Sequence, residues 1–317
     1  MDNIKNNDKP KVSVVMNCLN CSEYVKEAID SVFTQTYKDW EIIFFDDAST
    51  DNSLEIAKSY GHKVRCFTSG KTCGLGKARN LAVKEARGRY IAFLDCDDIW
   101  LPEKLEKQIP MFDNDQNIGL VFSDVMYFNK KGDVFQLYGA KKPPENYAFR
   151  QLLRKNFLCL SDVMIKKETL LKLGQWFDDR FSGIEDLDLF LRIAYDQKIK
   201  YIDAVLVRYR MHEKSWTYSH RSIFPEEQEI LIKKLSDLYP GLKKEYSSEL
   251  NALQVRIAYE KFVLYWKTGE VRNGRQYLKQ FLVLDRKLLL PYIFSYFLPY
   301  SFFTFFIRMS KMRVYSI

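Results

Sequence analysis

Apolar residues cluster in short runs along the first third of the chain, and between the runs they recur at helical spacing. "KVSVVMN" (11–17), "WEIIFF" (40–45), "KVRCF" (63–67) and "YIAFL" (90–94) are β-branched and aromatic runs of strand length. Val25, Ala28, Ile29, Val32 and Phe33 follow the i, i+3, i+4, i+7, i+8 pattern, which predicts a helix with Ser22 as its N-cap. Residues 53–59 read as a short helix, and "GLGKARNLAVKEARG" as a longer one stopped by Gly88. Alternating strands and helices predict an α/β fold of βαβ units with a mostly parallel sheet. In such sheets ligands bind beyond the carboxyl ends of the strands. Three of these ends carry polar runs, at 17–20, 46–51 and 95–98, so the three are expected to meet at one edge.

Beyond residue 111 the pattern loosens. "IGLVFSDV", "SDVMIKK" and "AVLVRYRMH" (204–212) read as strands, and "IEDLDLFLRIAYD" (184–196) as a helix whose acidic first turn suits its dipole. Residues 226–238 and 247–284 read as helices. Residues 288–307, "LLLPYIFSYFLPYSFFTFFI", hold no charge and are flanked by Arg286 and Lys287 before and Arg308, Lys311 and Arg313 after. Two prolines and several hydroxyls break the run. A segment lying in a membrane interface is preferred, ahead of packing on the protein itself or a full span.

Composition changes this picture little. The chain has 317 residues, 47% hydrophobic and 28% charged, with a net charge of +8 that would suit an anionic surface or substrate. Basic residues are interleaved with acids, which argues against nucleic-acid binding. The opening run, "MDNIKNNDKPK", lacks the apolar core of a secretory signal, so residues 1–10 are expected to form a disordered tail and the six cysteines to be reduced thiols of a cytosolic chain. Cys18 and Cys21 form a C-x-x-C with no second pair at zinc-site spacing, and read as ordinary thiols.

The densest chemistry is "FLDCDD". Asp95, Asp97 and Asp98 fall within four positions directly after a strand. A divalent cation would compensate them, since Mg2+ and Mn2+ take carboxylates together with substrate phosphate oxygens. A solvated acidic turn opening the next helix, with Asp97 or Asp98 as its N-cap, is the plainer alternative. In "DDASTD", Asp46 and Asp47 either accept a base N–H or make a local turn. "GLGKARN" offers Gly74 and Gly76 for close backbone approach. Its Arg79 would either neutralise a diphosphate or hold the aspartates in place.

Taken together, "VSVVMNCLN", "DDASTD", "GLGKARN", "YIAFLDCDD", "GIEDLDLFLR" and "YRMHEKS" resemble, in order and spacing, the family 2 glycosyltransferases over about residues 11–215. The resemblance implies a GT-A, Rossmann-like fold, a nucleotide-diphospho-sugar donor, bound Mg2+ or Mn2+, and inversion at the anomeric carbon. It further implies donor contacts from Asn17, Asp47, Arg79 and Asp95, with Asn17 and Asp47 at the base and Asp95 at the ribose. Asp97 and His212 fall to the metal, Asp186 to the catalytic base and Glu185 to the acceptor side. "NCLN" stands where the family usually has Pro-Thr-Tyr-Asn after the first strand, which alters the uracil-side contact of the UDP-sugar donor that the resemblance implies.

The expected organisation is a transferase domain over 11–220, with a nucleotide-sugar half (11–110) and an acceptor half (111–220). A helical extension (221–287) and an aromatic membrane-interface segment (288–317) follow. The expected activity is transfer to a lipid-linked or cell-surface glycan at the inner face of a membrane, as in bacterial surface polysaccharide. A sugar nucleotidyltransferase and a non-catalytic membrane protein are the alternatives. The first would carry a glycine-rich basic loop after the first strand, where "NCLNCSEY" stands.

Overall fold

A computed structural model describes residues 9–304, apart from the side chain of Tyr218. Most of the tail at 1–10, and the end of the aromatic segment with Arg308, Lys311 and Arg313, lie outside the described residues. The chain divides into two compact units. The first takes residues up to 152 together with 156–215, and the second takes 153–155 and the residues from 216 on.

The first unit contains one sheet built from β1 (Val12–Cys18), β2 (Trp40–Asp46), β3 (Val64–Thr68), β4 (Tyr90–Phe93), β5 (Ile99–Trp100), β6 (Ile118–Asn129), β7 (Gly132–Gln136), β8 (Met164–Lys166) and β9 (Lys198–Arg210). Its order is β3-β2-β1-β4-β8-β6-β9-β5, with β7 paired to β6. The first four strands pair parallel. The remainder is mixed: β8 runs antiparallel to both β4 and β6, whereas β6 and β9 run parallel.

Helices α1 (Val25–Phe33), α2 (Ser53–Lys58), α3 (Leu75–Glu85), α4 (Lys104–Asn114), α5 (Phe149–Arg154), α6 (Lys167–Leu173) and α7 (Glu185–Asp196) accompany the sheet. On one face Val12, Val14, Met16, Ile42 and Phe44 share a core with Val25, Ala28, Ile29 and Val32 of α1. On the other, α3 lies against β1 and β2 and buries Ala78, Ala82 and Val83. Helices on both faces leave β2 buried along its whole length, which is why it reads as a continuous apolar run.

Several local expectations change. Ser22 does not cap α1. The helix starts at Val25, and the Ser22 N–H instead donates to Asp51 Oδ2 at 2.9 Å. Gly88 is not a left-handed stop, because α3 ends at Glu85 with Ala86 extended. Its role is steric: a Cβ there would sit 2.5 Å from the Ser13 nitrogen. Neither Asp97 nor Asp98 caps the next helix, whose cap position is Glu103. The strand expected at 161–167 shortens to β8, and the one expected at 204–212 begins earlier, at Lys198.

The second unit comprises α8 (Trp216–Ser219), α9 (Phe224–Leu238), α10 (Leu242–Glu245), α11 (Ser247–Lys267), α12 (Val271–Lys279) and α13 (Leu289–Phe294). The single helix expected over 247–284 breaks at Gly269, whose φ of +86° only glycine adopts readily. Val255, Phe262, Trp266, Leu278, Leu288 and Phe303 form this unit's core. The aromatic segment therefore packs partly on the protein, while Ile293, Tyr296, Phe297 and Phe302 stay exposed. No described helix is long and apolar enough to cross a membrane.

Candidate active site

Parallel pairing brings the polar strand ends together. Cys18 and Asp46 face each other at the ends of β1 and β2, and the Cys96 thiol after β4 donates to the Asn17 carbonyl at 3.2 Å. The loops leaving β1 and β2 each contain a non-glycine residue in the left-handed region, Asn20 at φ 57° and Ala48 at φ 62°. Such strain persists only where the surroundings enforce it. Here Ser49 Oγ accepts from the Asn20 N–H at 2.9 Å, and Asn20 Oδ1 accepts from the Thr50 N–H at 2.8 Å.

Asp47 is buried and ties the loop after β3 to the end of β2. Its carboxylate accepts from Ser69 Oγ at 2.8 Å and from the backbone N–H groups of Cys73 and Gly74 at 2.9 and 3.3 Å. Asn17 carries a buried side-chain amide nitrogen with no partner. An orphaned donor at a strand end is a polar group a ligand can satisfy. Gly76 serves the protein rather than a ligand, since a Cβ on it would meet the Asp178 carbonyl at 3.1 Å where α3 docks.

Arg79 is the keystone. From the buried face of α3 its guanidinium bonds Asp95 Oδ1 at 3.2 Å and the carboxylate of Glu185. One cation thus joins the acidic run after β4 to the start of α7. Of its two expected roles, the geometry displays the holding of acidic groups. Glu185 is buried, with its second oxygen unpartnered, so it meets Arg79 rather than open solvent. Asp186 is half-buried, and its Oδ1 accepts from the Leu187 N–H at 2.6 Å. Burial, helped by the Asp95 charge and opposed by Arg79, raises its pKa above the usual aspartate value. About a third of the Asp95 side chain is solvent-accessible (36%). Burial of the carboxyl among its neighbours and the nearby Asp97 charge still raise its pKa, against Arg79.

Asp97 and His212 converge from opposite sides. β5 follows the acidic run directly and pairs antiparallel with β9, Ile99 opposite Arg208. That pairing delivers the end of β9 to Asp97, so His212 Nε2 lies 2.9 Å from Asp97 Oδ2. Tyr24 packs against the imidazole at 5.0 Å between centroids, and His212 Nδ1 is buried without a partner. One carboxylate and one imidazole, both partly exposed, fit a divalent cation whose other positions would be taken by phosphate oxygens and water.

Asp98 proves to be a brace, which the sequence did not reveal. It is 1% exposed and accepts from Ser161 Oγ at 2.6 Å and from the Arg210 N–H at 2.9 Å. Burial and the charges of Asp97 and Asp95 push it well above the usual carboxylate range. Ser161 Oγ also accepts from the Asp95 N–H, and the Ser161 carbonyl accepts from Trp100 Nε1. Arg210 Nε donates to the Asp97 carbonyl at 2.8 Å. Ser161 and Arg210 carried no local signal, because both act 63 to 113 positions away in sequence.

Residues 13–173 match the family described as "Glycosyl transferase family 2". The chain belongs to the family 2 glycosyltransferases. It is 36% identical over 214 residues to an uncharacterised glycosyltransferase of Methanocaldococcus jannaschii, covering 64% of this chain and 72% of that one. It is 33% identical over 208 residues to the UDP-Glc:alpha-D-GlcNAc-diphosphoundecaprenol beta-1,3-glucosyltransferase WfgD of Escherichia coli, covering 64% and 78%. Among solved structures, S. aureus TarS with UDP-GlcNAc superposes with a TM-score of 0.63 at 20% identity, over 86% of this chain and 91% of that one. The mannosyltransferase PcManGT of Pyrobaculum calidifontis with GDP-Man and Mn2+ does so at 0.61 and 17%, over 94% and 84%. This glycosyltransferase therefore has the mixed α/β GT-A fold, with flanking helices and a parallel half that carries the acidic run.

Proposed function

We propose that this glycosyltransferase moves a sugar from a nucleotide-diphospho-sugar of the UDP class to a hydroxyl of a lipid-linked or cell-surface glycan, with inversion. The observation that supports it is the Arg79 bridge. It ties the Asp95–Asp97 run to Glu185, the residue directly before Asp186. In this reading Asn17 offers its unpartnered amide to the nucleobase, beside the loop that Asp47 ties down, and Asp95 meets the ribose. Arg79 keeps Asp95 in place and adds positive charge to the donor pocket. Glu185 fixes Arg79 from the acceptor side. Asp97 and His212 would hold Mg2+ or Mn2+, which would supply positive charge to offset that of the diphosphate.

An acceptor hydroxyl is a weak nucleophile at neutral pH, so a positioned base has to take its proton. Asp186 has the place for it. Its raised pKa makes the carboxylate a stronger base than an ordinary aspartate. Attack from the Asp186 side, opposite the diphosphate, gives inversion in one displacement.

The same reading assigns the transferase to residues 11–220, a helical extension to 221–287 and a membrane-contacting segment to 288–317. Exposed Ile293, Tyr296, Phe297 and Phe302, with Arg286 and Lys287 nearby in sequence, support attachment to the inner face of an anionic membrane. The name of the E. coli relative supports a diphosphate-lipid-linked acceptor.

The test is a thermal-shift titration with UDP in the presence and absence of Mn2+, followed by transfer from UDP-sugars to a diphospholipid-linked acceptor. Metal-dependent stabilisation and a product of opposite anomeric configuration are expected. Retained configuration, or UDP binding indifferent to metal, overturns the reading.

A further inference from the structure

Three thiols converge beside the donor pocket without taking part in the chemistry above. Cys18 ends β1, Cys21 lies in the loop before α1, and Cys96 stands 75 residues further along, between Asp95 and Asp97. Their sulfur atoms all lie within 4.8 Å of one another, and none is in a disulfide. Cys18 and Cys96 are buried, whereas Cys21 is half-buried.

Buried cysteines often behave as small apolar residues. This cluster has a more polar setting. The Cys96 thiol points at the Asn17 carbonyl at 3.2 Å, Ser49 Oγ lies 3.9 Å from the Cys18 sulfur, and Ser53 Oγ accepts from the Cys21 N–H. Zinc–thiolate bonds of about 2.3 Å at tetrahedral angles put the sulfurs about 3.8 Å apart. Sulfurs already within 4.8 Å thus need to close by no more than about 1 Å.

We propose that Cys18, Cys21 and Cys96 form a three-sulfur site for a thiophilic cation of the zinc class, with the fourth position open to water or the Ser49 hydroxyl. Binding releases the thiol protons to solvent and forms three metal–sulfur bonds, with no change of oxidation state. The site is separate from the Asp97–His212 pair by ligand chemistry. Sulfur selects zinc-like ions, whereas a carboxylate shared with phosphate oxygens selects Mg2+ or Mn2+. The two sites flank the same short run, so an ion held by the thiols would pin the loop after β1 to the end of β4, beside Asn17. This inference does not depend on the donor or acceptor proposed above.

The test uses the full chain, freed of metal by a chelator and kept reduced by a phosphine, with Co2+ as a coloured stand-in for Zn2+. One equivalent should produce an intense sulfur-to-cobalt charge-transfer absorption, abolished by an equivalent of Zn2+ but not by excess Mg2+. Asp97→Ala should keep the band, since its ligands are not sulfur. Cys96→Ser and Cys21→Ser should each weaken Zn2+ competition at least about tenfold, the lower end of the cost of losing even an outer-shell partner. Cys66→Ser, on β3, should leave it unchanged. Cys21 is half-buried in a loop, so its variant keeps the fold intact, as circular dichroism would verify. Absence of the charge-transfer band in the wild type, or an undiminished band in Cys21→Ser, overturns the proposal.

Discussion

The two halves of the sheet hold their ligand-facing ends in different ways. In the half formed by β1 to β4, seven, five and four consecutive residue pairs run in unbroken parallel register. Helices cover both faces, and the carboxyl ends fall side by side as a result of topology alone. In the half formed by β6 to β9, the β6–β9 register slips at 118/120, 123/124 and 124/125, and the β6–β7 register at 127/128. There the loops are fixed by side chains. Buried Asp124 accepts from the N–H groups of Val125, Tyr138 and Gly139 and from Gln136 Nε2, at 2.6–3.1 Å. A regular ladder presents its polar ends at one fixed edge, whereas an irregular one stabilised by side-chain bonds can present many different surfaces.

Substitutions can break or sharpen that contrast. The largest effect is expected in the regular half. Asp97→Ala should lower kcat by more than the roughly 10²–10⁴-fold ascribed to a general base, because cation and leaving-group stabilisation go together. The same change should abolish the Mn2+ dependence of UDP binding. Near-wild-type turnover in a folded Asp97→Ala protein would remove Asp97 from the mechanism.

Asp186→Asn tests the hinge between the halves. It should cost about 10²–10⁴-fold in kcat, with donor binding retained. The wild-type kcat/KM should also fall on the acid side at a pH above an ordinary aspartate's, about 3.9. The direction follows from burial and the Asp95 charge: both favour the protonated form, and only the ionised form accepts the hydroxyl proton. An acid limb at or below the ordinary value would argue that another group is the base.

The smallest effect belongs to the irregular half. Asp124→Asn places an amide among four donors, which should cost about 1–3 kcal/mol of stability. Acceptor KM should change more than donor KM. A donor KM that moved as much as the acceptor's would dissolve the distinction drawn here.

Legibility follows the same division. Strands, helices and the acidic run of the first hundred residues were readable because their periodicity is local and both faces of the sheet are covered. Only the family motifs single out Asp186 and His212, which local reading leaves as an acidic helix start and a strand-end histidine. Arg79 was seen as a cation with two possible duties, and the choice needed Glu185, 106 positions away. Spacing along the chain pairs only the thiols at 18 and 21, and the proximity of Cys96 to them was not readable because it arises through strand pairing. Gly88 was misjudged because its constraint is a neighbouring strand, not its own φ. The exposed β7 strand has no buried face to produce an alternating signal.

One hydroxyl complicates any plan to exchange acceptor preferences by grafting. Ser161 comes from the turn ahead of β8, inside the stretch expected to govern what receives the sugar, yet it anchors both Asp98 and Asp95, the latter proposed to meet the donor's ribose. A transplanted 157–163 loop lacking a serine there would arrive with a new taste in acceptors and a slackened grip on the nucleotide.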